Sequence, residues 1–120
     1  MKKILIVDDE PSIIDILRLF AAQLGYEADA AQSGKAAIEK VSGNQYWAVF
    51  CDLQMPGLNG MDIYDQVKEL NIALSGKFIL LTGSMLDHPT EAKVVAQNIK
   101  VLRKPFYFEG VKKIFSDLEA

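Results

Sequence analysis

Short apolar runs alternate along this chain with longer stretches of helical period. The runs cover residues 3–7, roughly 26–30, 47–51, 77–81 and 99–102. Runs of this length suit strands buried on both faces, as in a parallel sheet. After the first run, Ile13, Leu17, Phe20 and Leu24 recur at i, i+4, i+7 and i+11, one face of a helix. Pro11 fits the first helical position and Gly25 supplies a stop. Residues 33–42 predict a second helix, with Ser33 as N-cap and Ala37, Ile38 and Val41 as its apolar side. Ile63, Val67 and Leu70 mark a third helix, opening after Gly60. A fourth opens near Pro89, with only Ala92 and Val95 to mark an inner face. Phe108, Val111, Phe115 and Leu118 mark a fifth, despite the interior Gly110.

Strand and helix units in strict alternation predict an α/β fold: a doubly wound, five-stranded parallel sheet flanked on both faces by five helices. The runs at 3–7, 47–51 and 77–81 are the most uniformly apolar, so those strands belong inside the sheet. That suits strand order 2-1-3-4-5, with a switch point between the first and third strands. A chain of 120 residues can bury a core without disulfides or structural metal. Residues 1–120 therefore read as a single domain, with no internal repeat, linker or output domain.

The polar residues that end the runs change the picture. The first run, Ile4-Leu5-Ile6-Val7, stops in Asp8-Asp9-Glu10. These acids can be a solvated strand end favoured by the dipole of the following helix, or a site for a hard cation such as Mg²⁺. The third run ends in Asp52, the fourth in Thr82-Gly83-Ser84, and the fifth in Lys104-Pro105. Open α/β sheets bind ligands at the carboxyl ends of their strands beside the switch point, where all of these residues fall. Asp8, Asp9 and Asp52 against Lys104 leave a formal charge of −2, which one Mg²⁺ would cancel. Such a site suits phosphoryl transfer to a carboxylate. An ionised Asp52 needs no general base, so catalysis there reduces to positioning and charge neutralisation.

Composition narrows the setting. The net charge of −3 argues against a nucleic-acid surface. The lone Cys51 excludes an internal disulfide and reads as a small buried hydrophobe. No run reaches membrane-spanning length, and the first is too short for a signal-peptide core, so a cytoplasmic protein is expected. His88 has no Cys or second His beside it, so it reads as an exposed loop or capping residue and not as a zinc ligand. Tyr46 and Trp47 read as packing, and Met55-Pro56-Gly57 as turn chemistry. Gly60 reads as a backbone bend before the third helix.

Over nearly its whole length the chain resembles the receiver domain of two-component response regulators, a flavodoxin-like fold. The resemblance is carried by Ile4-Leu5-Ile6-Val7-Asp8-Asp9-Glu10, by Asp52-Leu53-Gln54-Met55-Pro56-Gly57-Leu58-Asn59-Gly60, by Leu81-Thr82-Gly83 and by Lys104-Pro105-Phe106. It implies that Asp52 is the phosphoacceptor and a phosphohistidine on a sensor histidine kinase, or on a phosphotransfer protein, its donor. It implies Mg²⁺ held by Asp9, Asp52 and the backbone carbonyl of Gln54, with Asp8 acting mostly through metal-bound water. Thr82 and Lys104 would bind phosphoryl oxygens, and Gln54 and Ser84 would flank the path of hydrolytic water. The Lys104–Pro105 bond would be cis. Such a domain is a signalling switch, not a turnover enzyme, and acts through a downstream protein or a tethered output domain. It can stand alone or form a segment of a hybrid kinase or multidomain regulator.

Departures from that pattern matter. Where receiver domains commonly carry Tyr or Phe three residues before the lysine, this chain has Val101. Lys100 and Arg103 disfavour the ion-paired dimer of the regulators with winged-helix outputs. Other functions fit less well. An aspartyl-phosphate phosphatase would need an acid where Gln54 stands, and a flavin phosphate would be repelled by Asp8-Asp9-Glu10. An interaction module that is never phosphorylated would not need the acid set.

Overall fold

The computed structural model describes residues 2–120. Among these the chain forms β1 (Lys3–Val7), α1 (Pro11–Gln23), β2 (Glu27–Ala31), α2 (Gly34–Gly43), β3 (Ala48–Asp52), α3 (Gly60–Leu70), α4 (Ile72–Ser75), β4 (Phe78–Thr82), α5 (His88–Gln97), β5 (Lys100–Arg103) and α6 (Phe108–Glu119). All strands are parallel, in the order β2-β1-β3-β4-β5. This is the doubly wound sheet expected, with the switch point between β1 and β3.

Side chains alternate across the pleat, so each interior strand feeds two cores. Leu5, Val7, Val49, Cys51 and Leu80 face α2, α3 and Val94 of α5. Ile4, Ile6, Phe50, Ile79 and Leu81 face α1 and α6, where Ile14, Leu17, Ala21, Val111 and Phe115 cover them. Each fully buried Leu, Ile or Phe among these contributes roughly 1.5–3 kcal/mol relative to exposure. Ser33 caps α2 by accepting from the Ala36 N–H at 3.1 Å. Asn59 and Asp62 close a capping box on α3.

Four details depart from the sequence reading. There are six helices among the described residues and not five. Asn71 ends α3 and starts the one-turn α4 by accepting from the Leu74 N–H at 3.0 Å. Buried Leu74 takes the inward place, and Leu70 is left 51% exposed. The last four strands begin one residue late, because the ladder retains the polar ends: Asp52 pairs with Leu81, and Thr82 with Arg103. On α5 the inner residue is Val94, whereas Ala92 is exposed and Val95 is 74% exposed. Polar partners on α3 select that face: Lys93 pairs with Asp65 at 2.7 Å, and Lys68 donates to Gln97 at 2.7 Å. Lastly, Gly60 answers a close approach. A Cβ there would lie 2.7 Å from the Asp52 carbonyl oxygen and 2.9 Å from Leu53 Cα, so only glycine lets α3 start against the end of β3.

Candidate functional site

The carboxyl ends of four strands bring the polar groups together. Asp8 follows β1 and is fully buried, its N–H donating to the Ala31 carbonyl at 3.1 Å. Asp52 closes β3 across the switch point, and Thr82 closes β4; both are buried. Lys104 follows β5, tied by its N–H to the Thr82 carbonyl at 2.8 Å. The Lys104–Pro105 bond is cis, as expected.

The Lys104 ammonium lies between two carboxylates. It donates to Asp52 Oδ1 at 3.3 Å and sits 3.1 Å from Asp8 Oδ2. The contact to Asp8 is an ion pair by distance but lacks hydrogen-bond alignment. Asp8 Oδ2 is thus a buried acceptor with no hydrogen-bond donor among the described residues, a state that costs free energy only partly offset by the Lys104 charge. Asp8 Oδ1 is satisfied by the Glu10 N–H at 3.0 Å.

The charges perturb one another. Burial, then the Asp8 charge, pushes the Asp52 carboxyl above the usual range; Lys104 and the Gln54 amide oppose this. Burial works against the Lys104 ammonium, but Asp8 and Asp52 outweigh it and hold its pKa above the ordinary lysine value. The Cys51 thiol is pushed well up, by burial first and then by Asp52 and Asp8, so it stays an unreactive hydrophobe, as read from sequence.

An open cavity of about 260 Å³ is lined by Glu10, Asp52, Gln54, Thr82, Gly83, Ser84 and Lys104. Asp9 is exposed. Asp8, Asp9 and Glu10 can each place one carboxylate oxygen within 4.8 Å of the others, a trio that does not include Asp52. The structure therefore brings Asp8, Asp52, Thr82 and Lys104 together, puts Gln54 on the same wall, and leaves Asp9 toward solvent. Clustered carboxylates around a buried oxygen that has an ammonium nearby but no hydrogen-bond donor fit a hard cation such as Mg²⁺. Glu10, one of the three consecutive acids read as a possible cation site, is absent from the ligand set the resemblance implies, yet it lines this cavity. Arg103 was also missed as part of this edge. Its Nη1 donates to the Ser84 carbonyl at 2.9 Å, a contact that only the register of β4 and β5 could reveal.

Residues 4–116 match the family model of the response regulator receiver domain. The chain belongs to this family. The receiver domain is 34% identical over 106 residues to the response regulator SaeR of Staphylococcus aureus, covering 88% of this chain and 45% of that one. It thus spans less than half the length of the curated relatives it matches. Among solved structures it is similar to the response regulator TrrA of Thermotoga maritima in complex with Mg²⁺ and BeF, with 30% identity and a TM-score of 0.84 over 98% of this chain and 99% of that one. TrrA in complex with the histidine kinase ThkA is matched at 31% identity and a TM-score of 0.83, over 100% of both chains. As a response-regulator receiver domain, the protein is a module of two-component signalling. Among the described residues no helix is long and apolar enough to cross a membrane.

Proposed function

We propose that this receiver domain is a switch that is set when Asp52 takes a phosphoryl group from the phosphohistidine of a sensor kinase or phosphotransfer protein. The observation that carries the reading is the Lys104 ammonium shared between Asp8 and Asp52 at 3.1 and 3.3 Å. One cation for two buried carboxylates leaves the edge with unneutralised negative charge. A carboxylate oxygen of Asp52 attacks phosphorus, the P–N bond to the imidazole breaks, and its electron pair stays on that nitrogen. Asp52 gives up no proton, so the chain supplies no general base. Lys104 swings from Asp52 Oδ1 to a phosphoryl oxygen, and Asp8 holds it in place. Thr82 turns its hydroxyl toward another phosphoryl oxygen. Asp8, Asp9 and Asp52, with Glu10 and the Gln54 carbonyl beside them, would hold Mg²⁺, which when bound neutralises the acidic edge.

Output follows from the seating of α5. This helix buries one residue, Val94, and is otherwise held by polar contacts to α3. A shift of the loop after Thr82 therefore moves a lightly held element, a suitable carrier for a two-state response. The receiver is a phosphoacceptor and not a turnover enzyme, because Gln54 cannot supply the acid that substrate turnover through an aspartyl phosphate needs. Its kinase partner is supported by the ThkA–TrrA complex. The greater length of SaeR supports a downstream target that can be a tethered output domain. A cytoplasmic setting agrees with the single buried thiol of Cys51.

Incubation with Mg²⁺ and acetyl phosphate, read by intact mass, tests the assignment. Wild type is expected to gain one phosphoryl group, and Asp52→Ala none. Labelling that persists in Asp52→Ala would overturn it.

A further inference from the structure

We infer that Arg103 is a positioning residue for Thr82, acting through the carbonyl of Ser84. The inference rests on the proposed function, in which the Thr82 hydroxyl meets a phosphoryl group on Asp52. Arg103 stands directly opposite Thr82 in the β4–β5 register. Its guanidinium donates to the Ser84 carbonyl at 2.9 Å. The Thr82 hydroxyl donates to the same carbonyl at 3.2 Å and accepts from the Ser84 N–H, also at 3.2 Å. One carbonyl thus receives both the switch residue and a cation from the next strand.

The consequences follow from counting donors and acceptors. To donate to a phosphoryl oxygen, the Thr82 hydroxyl must withdraw its proton from the Ser84 carbonyl. In this exposed turn either water or Arg103 can take the place of that donor, and the two differ in how firmly they fix the carbonyl. Arg103 is already bonded to that carbonyl, so the turn keeps its orientation when the hydroxyl leaves. The Ser84 N–H continues to hold Thr82 Oγ1 in place while its proton turns. Charge-assisted donation from a guanidinium also fixes the turn more firmly than a neutral donor would. Arg103 touches none of the reacting atoms; its effect passes through Ser84 to Thr82. Val101, two residues earlier, is partly buried and has no polar atom with which to reach the loop.

The test is a double-mutant cycle read as the rate of phosphorylation by acetyl phosphate with Mg²⁺, followed by intact mass. Arg103→Ala is expected to slow phosphorylation roughly three- to tenfold, the range of one hydrogen bond. Arg103→Lys, which keeps a cationic donor, is expected to recover part of that loss. In a Thr82→Ala background, Arg103→Ala is expected to have no further effect. A merely structural role would lower the rate by the same factor in both backgrounds, and that outcome would overturn the inference. So would a rate equal to wild type in Arg103→Ala alone. Either result leaves the Asp52 assignment standing. A wild-type chain that gains no phosphoryl group would overturn both.

Discussion

The two ends of the sheet use the same kinds of residue to opposite effect. At the amino-terminal end, Tyr26 and Trp47 stack at 5.3 Å, and Tyr26 stacks on Phe115 at 4.3 Å. Lys2 and Lys77 lie over the Trp47 ring at 4.7 and 5.6 Å. Glu119 receives both Lys2 and the Tyr26 hydroxyl, and Asp29 receives Tyr46 at 2.7 Å and Lys3 at 3.4 Å. Glu119 and Asp29 are thus each matched to two donors. At the carboxyl end, two buried carboxylates share one ammonium and Asp8 keeps an unsatisfied oxygen. The matched end locks the helices to the sheet. The mismatched end trades stability for the capacity to take up a cation and a phosphoryl group.

Four substitutions probe this contrast, taken from the largest expected effect to the smallest. Phe115→Ala removes the ring that Tyr26, Trp47 and Phe50 pack against. It is expected to cost about 3–5 kcal/mol in urea unfolding. A loss below 1 kcal/mol, an order-of-magnitude floor for a filled core site, would remove the matched end as the anchor of the fold.

Asp52→Asn should act in the opposite direction. The Asp52 pKa is raised in the folded state, so the native protein holds its proton to higher pH than the unfolded chain. Wild-type stability from this group therefore falls as pH rises from the unfolded pKa through the folded one. Replacing the carboxylate with a neutral isostere is expected to stabilise the protein by about 1 kcal/mol or more at neutral pH in chelator, with the advantage vanishing in acid. Mg²⁺ should raise the melting temperature of wild type more than that of the variant. A variant less stable than wild type in chelator would mean that the carboxyl end is not strained by charge.

Tyr46→Phe removes the first cause of the lowered Asp29 pKa, the hydroxyl hydrogen bond. The carboxylate should then titrate closer to its ordinary value in an NMR pH series. A lowered acid pKa contributes stability that is present above the unfolded pKa and lost as pH falls through the folded one. The variant should thus be weaker by about 1 kcal/mol at neutral pH, with the gap closing in acid. The smallest effect is expected from Glu119→Gln. The Tyr26 hydroxyl is pushed up to about 12, by burial first and then by Glu119. Without the carboxylate its phenolate transition should move part of the way back, as followed by ultraviolet absorbance, since burial remains. An unchanged transition would assign the whole shift to burial.

Much of the fold was legible in the chain. Uniform apolar runs marked the interior strands, and Ala37, Val41, Val111, Phe115 and Leu118 lie buried where their helical spacing placed them. On α1 the spacing found the helix, but the buried line runs through Ile14, Leu17 and Ala21, with Ile13 and Phe20 at its flanks. The reading failed where polar contacts, and not apolar ones, chose a face. Hydropathy pointed α5 inward through Ala92 and Val95; the α3 contacts of Lys93 and Gln97 turned it to Val94. It failed again after Asn71, where no apolar spacing marked the one-turn α4 that the Asn71 side chain caps.

Local pattern was sufficient to determine that this chain folds as a parallel doubly wound sheet and that its strands end in acids, a hydroxyl and an amine. Those features depend on residue type and near-neighbour spacing, which a sequence carries directly. Only the tertiary structure decided which charges meet, because ion pairing depends on distances between residues remote in the chain. It gave Lys104 to both Asp8 and Asp52, left Asp9 toward solvent and Glu10 on the cavity wall, and set Arg103 against the carbonyl that holds Thr82.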